Sequence, residues 1–331
     1  MTTADQLHEH KLLYRARLEH LVAVREPLAL ISQIQRSGGT LLSQLFDGHP
    51  ECHAYPHELS LAYLNDVRGT AFDLGSAERS FEIVYEPRMA KRLGAGYRKP
   101  ASRPGDSDVD VFPFLYLGGL QRRIFERCFG AGVARDRDVL DCYFTSVFNA
   151  WLDNQNLYLS PKKLVTAFAP RLVHKPAAVE RIFAAYPDGF LISIVREPRA
   201  WFASARLQKE RYADVEHALK RWRASAEGAL DARERYGDRV VLVTYEDLVT
   251  STEQTMTALA ARLGISMSPV LCVPTFNGRP IRANSSYAVE TYGILRNRTE
   301  TYRSSLDDET LARVDDLAGD VYERARAAAS S

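Results

Sequence analysis

Leu28-Ala-Leu-Ile-Ser-Gln-Ile-Gln-Arg-Ser-Gly-Gly-Thr-Leu-Leu42 is an apolar run that breaks into Arg36-Ser37-Gly38-Gly39-Thr40. It reads as a buried strand over 28–34, a turn over 35–39 and a helix from Thr40 to Phe46. Strand–turn–helix junctions of this kind are where α/β proteins hold phosphate groups, on the backbone N–H groups at a helix N-terminus. Phe190-Leu-Ile-Ser-Ile-Val-Arg-Glu-Pro-Arg-Ala-Trp-Phe-Ala-Ser204 repeats the design, an apolar strand ending in Arg196 and followed by a helix. Two anion sites on separate strands point to a ligand with phosphates at both ends.

Outward from these two junctions the α/β rhythm continues. Strands are expected at Leu164–Phe168, Arg171–Lys175 and Arg239–Thr244, and helices at 177–186, 199–209, 213–236, 252–263 and 307–328. At the N-terminal end, Leu7, Leu12, Leu13, Leu18, Leu21 and Val22 fall close to helical spacing over 3–24, with Pro27 as the stop. Residues 59–160 alternate helical stretches with a breaker-rich loop from Gly94 to Asp110, expected to be mobile and suited to ligand recognition rather than core building. The expected architecture is one α/β domain spanning 1–331. It is a three-layer P-loop-like fold with a central parallel sheet, a core of about 28–287 and helical insertions that include 59–160.

At 331 residues and 46% hydrophobic, the chain can bury a full core. Lys+Arg 43 against Asp+Glu 42 leaves a formal net charge of +1, so bulk nucleic-acid binding has no basic stripe to support it. Cys52, Cys128, Cys142 and Cys272 form no Cys-x-x-Cys and no dense framework, which reads as a reducing compartment. The N-terminus is polar and no apolar run is long enough to span a bilayer, so a cytoplasmic protein is expected. The scattered histidines and Lys162-Lys163 read as surface, and no His/Cys/Asp cluster has metal-site spacing.

The loop Arg36–Thr40 resembles the 5′-phosphosulfate loop of sulfotransferases that use 3′-phosphoadenosine 5′-phosphosulfate (PAPS), and the pair Arg196 and Ser204, eight positions apart, resembles their 3′-phosphate motif. The resemblance spans most of the chain between 28 and 287, and it is closest to the bacterial and Golgi-type branch, whose loop carries Arg-Ser-Gly. It implies PAPS as co-substrate, PAP as product, no metal, and transfer of a sulfonate to a hydroxyl, less readily an amine. The acceptor stays open among carbohydrate, lipid, a carrier-bound acyl chain and a small natural product. The implied nucleotide contacts are Arg36, Ser37, Gly38, Gly39, Thr40 and Leu41 at the 5′ end and Arg196 with Ser204 at the 3′ end. Tyr245 of Tyr245-Glu-Asp-Leu stands on the adenine side, and Asn284, Ser285 and Ser286 lie in a late loop where one of the serines reaches the sulfonate. Arg36 would cover the bridging oxygen, and Lys175 of His174-Lys-Pro, following a short strand, would sit by the sulfonate. Gly39 departs from the family, where a Thr is common; one hydroxyl contact is lost and the loop is expected to be softer. Arg199 is expected to be structural or at the rim.

A base must take the acceptor's proton. Glu58 in Pro56-His57-Glu58-Leu59 is the first choice and His57 the second. A free carboxylate is a poor base at neutral pH, so Glu58 would need desolvation to raise its pKa. Two other readings are a P-loop kinase or NTPase and a non-catalytic nucleotide-binding protein of the same fold. The first needs a Walker lysine after the glycines, which is absent, and a strand-closing Asp for Mg²⁺, for which only Asp247 stands.

Overall fold

The computed structural model describes residues 3–60, 71–94, 97–98, 111–112, 114–207, 210–281, 292–296 and 299–330. Five strands form one parallel sheet: β1 (Leu28–Ile31), β2 (Cys52–Glu58), β3 (Leu164–Phe168), β4 (Phe190–Val195) and β5 (Val240–Thr244), in the spatial order β2-β3-β1-β4-β5. Every residue of β1 and β3 is buried, which is why β1 reads as an unbroken apolar run and β3 as one interrupted only by Thr166, rather than as alternating strands. The registers are continuous for β1 on β3, with Leu28 opposite Val165 and Ile31 opposite Phe168, and for β4 on β5, with Leu191 opposite Val240. The sheet belongs to a compact unit that takes in the described residues of 27–60 and 161–331. Its helices are α2 (Gly39–Phe46), α7 (Pro176–Ala185), α8 (Pro198–Arg206), α9 (Val215–Tyr236), α10 (Tyr245–Thr250), α11 (Thr252–Leu263) and α12 (Asp308–Ala329). On one side of the sheet, Ala29, Ile31, Ile192 and Ile194 pack with Leu42, Leu45 and Phe46 of α2 and Met256, Leu259 and Leu263 of α11.

A second compact unit takes in the described residues of 1–26, 61–99 and 110–160. It is helical: α1 (Thr3–Glu19), α3 (Ala77–Val84), α4 (Pro87–Gly94), α5 (Gly118–Gly130) and α6 (Asp136–Ala150). From Val139 to Ala150 nearly every residue of α6 is buried, and Phe81 packs on Phe125 with ring centroids 5.1 Å apart. A disulfide joins Cys128 of α5 to Cys142 of α6.

Several expectations change. Helix α1 ends at Glu19, well before Pro27, because the following backbone is taken up by α6. The Val22 N–H donates to Asn149 Oδ1 at 3.0 Å and the Val24 N–H to Thr145 Oγ1 at 2.9 Å. The cysteine pair removes the cysteine argument for a reducing compartment; two thiols on facing helices bear no spacing signature. Residues 171–175 are turns rather than a strand, with Arg171 left-handed at φ 67°. Their N–H groups are drawn to the end of β1, Arg171 N–H to Gln33 O and Val173 N–H to Ser32 Oγ, both 2.9 Å. β2 was not expected at all, and it places His53 in the core. His49 is buried too, so neither is a surface histidine. The breaker-rich stretch from 99 to 110 lies outside the described residues. Among the described residues no helix is long and apolar enough to cross a membrane.

Candidate active site at the carboxyl edge of the sheet

In a parallel sheet every strand delivers its C-terminal residue to the same edge. Arg36 follows β1, Glu58 ends β2, Lys175 follows β3, Arg196 follows β4 and Tyr245 follows β5. The connections leaving β1 and β4 run to opposite sides of the sheet, and a crevice opens where neighbouring strands diverge in this way. Arg36 and Arg196 stand at that crevice.

The loop after β1 is bent by two left-handed residues, Arg36 at φ 72° and Gly38 at φ 98°. Turns of this kind bring successive N–H groups to one side and make an anion-binding concavity. Helix α2 starts directly behind it, with Gly38 as its N-cap and no side chain capping it. Gly38 cannot be replaced cheaply. A Cβ there would lie 2.7 Å from Cδ2 of Tyr245, quite apart from the positive φ.

The two motifs meet in space. Arg196 Nη1 donates to the Arg36 carbonyl at 2.9 Å, and Arg36 Nη2 reaches Ser204 Oγ on α8 at 3.5 Å. The Arg196 guanidinium lies over the Tyr245 ring, 4.4 Å from its centroid, and the residue is only 8% exposed. Cation–π stacking on this half-buried ring holds the fork in place. Buried polar atoms without a hydrogen-bond partner among the described residues gather here: Ser37 Oγ, Arg196 Nε and both amide atoms of Gln33. Such groups are rare in folded proteins, and a bound anion with acceptor oxygens would satisfy the donors among them. Ser37, Gly38, Gly39, Arg36, Arg196, Ser204 and Tyr245 are thus assembled as one cluster, with Thr40 and Leu41 on the first turn of α2.

Glu58 is placed differently. It is exposed at the end of β2, across β3 from β1, so about 10 Å to the side by strand spacing. Its N–H donates to His57 Nδ1 at 2.7 Å. The described neighbours do not bury it, and the desolvation expected for a base is not supplied by them. Lys175 is the N-cap residue of α7 and half-buried; it follows a turn, not a strand. Asn284, Ser285 and Ser286 lie outside the described residues, although the short hairpin before them, Thr275–Phe276 paired with Arg279–Pro280, is anchored. Asp47 at the end of α2 accepts from Thr275 Oγ1 and from the Gly278 N–H, both at 2.8 Å, and burial raises its pKa.

Supporting residues emerge that the sequence reading did not single out. Trp201 Nε1 donates to the Gln35 carbonyl at 2.8 Å and Trp222 Nε1 to the Arg196 carbonyl at 3.1 Å, so two buried indoles fix the backbone on either side of the crevice. Glu246, beside Tyr245, accepts from the Glu197 N–H at 3.3 Å, and burial pushes its carboxyl up to about 7. Only the position of Trp201 within the second motif offered a hint. Arg199 forks onto Asp315 with two 2.6 Å bonds and is structural. Asp247 forms a local cap with Thr244, whose Oγ1 donates to its carboxylate at 2.6 Å. No group of three or more His, Cys, Asp or Glu among the described residues converges as a metal site would.

The sulfotransferase family model matches residues 27–269. Among solved structures, the sulfotransferase domain from the Synechococcus PCC 7002 olefin synthase aligns over 90% of this chain and 96% of that one, at 20% identity and a TM-score of 0.50. The sulfotransferase domain from the curacin biosynthetic pathway aligns over 90% and 99%, at 16% identity and a TM-score of 0.49. No curated protein matches the chain. The olefin synthase domain shares the fold, and the family match takes in both arginine junctions and the whole parallel sheet. The chain therefore belongs to the sulfotransferase family and is a sulfotransferase enzyme.

Proposed function

We propose that the protein transfers a sulfonate from PAPS to an acceptor hydroxyl. The observation that carries this reading is the contact between the two strand-end arginines. A cationic site built from β1 and β4 together suits a nucleotide with anionic groups at both ends better than one with a single phosphate chain. Bound PAPS would supply the activated sulfonate. Ser37, the N–H groups of 38–40 and Arg36 would hold its 5′ end, and Arg196 with Ser204 its 3′-phosphate. Tyr245 would flank the adenine. Arg36 and Lys175 offset negative charge at the carboxyl edge, and Glu58, with His57 as the alternative, takes the acceptor's proton. A carbohydrate, a lipid, a carrier-bound acyl chain or a small natural product remains the acceptor class.

Calorimetry with PAP, AMP and ATP, followed by an acceptor screen with radiolabelled PAPS, tests the reading. A charge-assisted hydrogen bond contributes about 1.5–3 kcal/mol, so PAP should bind at least about tenfold tighter than AMP. ATP binding as tightly as PAP would return the protein to the kinase reading. Normal PAP binding without transfer to any acceptor would favour the non-catalytic one.

A further inference from the structure

We propose that the Gln33 side-chain amide is part of the anion cradle: it fills the place of a side chain at position 39 and donates a hydrogen bond to the 5′ end of the nucleotide. The inference rests on the PAPS reading above. Gln33 lies two residues past β1 and is 1% exposed, and its carbonyl is pinned by the Arg171 N–H at 2.9 Å. Among the described residues neither atom of its amide has a hydrogen-bond partner. A Cβ built on Gly39 would lie 1.8 Å from Gln33 Nε2 and 2.4 Å from Cε2 of the Phe168 ring. The amide therefore occupies the notch that Gly39 leaves on the first turn of α2, with an aromatic ring beside it.

That turn is where α2 presents its uncapped N–H groups and the positive end of its dipole. An amide donor seated there adds to them. A buried amide with nothing to bond is unfavourable in the free protein and becomes satisfied when an anion with acceptor oxygens arrives. The same placement alters the expectation for Gly39. The hydroxyl contact that glycine forgoes is replaced by an amide from the segment just after β1, and the loop is filled rather than softened.

Gln33→Leu keeps the bulk and removes the donor, and Gln33→Glu keeps the shape and places an acceptor-only group against the phosphate. Binding of PAP and of adenosine 3′-phosphate, which lacks the 5′ group, is measured by calorimetry alongside the melting temperature of each free protein. Gln33→Leu should bind PAP at least about tenfold more weakly, and Gln33→Glu more weakly still, with adenosine 3′-phosphate little changed. The free Gln33→Leu protein should melt no lower than wild type, because an unpaired polar group has left the core. If wild type binds PAP and both variants bind it equally well, the assignment of Gln33 is overturned. Wild type failing to bind PAP overturns the PAPS reading itself.

Discussion

The Arg196 guanidinium is held by the Arg36 carbonyl on one side and the Tyr245 ring beneath, while Trp222 fixes its own carbonyl. It is pre-organised before any ligand arrives, so its removal should act on one end of the nucleotide. Arg196→Ala is expected to erase most of the preference for PAP over AMP while AMP binding stays close to wild type, read by calorimetry on both proteins. Arg196→Lys should recover little, because an ammonium can neither present the fork nor stack in the same way. At the acceptor side, Glu58→Gln keeps the shape but cannot accept a proton. It should lower kcat by about 10²–10⁴ with PAP affinity nearly unchanged. Loss of activity in His57→Ala with Glu58→Gln still active would move the base to His57, whose ring lies against the Glu58 N–H.

β2 carries a pH dependence of its own. Burial holds His53 down at about 3 from the usual 6.5, so between those values the unfolded chain binds a proton that the folded chain does not. The stability that goes with this is complete above about pH 6.5 and is lost as the pH falls toward 3. His174, held at about 4 mainly by burial, acts in the same direction. Glu246 acts oppositely, because its carboxyl is raised from 4.5 to about 7 and its stabilising effect fades as the pH rises between them. The melting temperature should therefore drop from pH 6.5 to pH 4, and drop less in His53→Gln. An equal slope in the two proteins would show that His53 takes up its proton without unfolding. In the helical unit, the Cys128–Cys142 bridge closes a separation of 14 residues and should contribute about 3 kcal/mol. Cys142→Ala should lower the melting temperature and leave PAP affinity unchanged, since the cradle is built from the other unit.

At the scale of the molecule, a net charge of +1 leaves the positive field to be made locally, and here it is made by arginines and N–H groups gathered at one sheet edge. Turnover should accordingly survive EDTA. Loss of most activity in EDTA, restored by Mg²⁺, would favour phosphoryl transfer. The two junctions that form the cradle were legible in the sequence because a buried parallel strand is a continuous apolar run, and Arg-Ser-Gly-Gly marks its end. The helices at 215–236, 252–263 and 308–329 were legible from their period. β2 was not. It is an edge strand with Pro56, His57 and Glu58 at its end and a register shift between Ala54 and Glu58, and nothing in its composition alternates. Residues 171–175 had strand composition, yet their backbone bonds were claimed by Ser32 and Gln33.

The sequence by itself determined that an α/β sheet would carry two anion-binding strand ends, because hydrophobic runs and glycine turns are local properties. Only the tertiary structure decided that Arg196 would touch Arg36, that two cysteines on neighbouring helices would pair, and that a glutamine would fill the notch at Gly39. Those outcomes depend on strand order and side-chain packing between residues far apart in the chain, where no local period or spacing reports them.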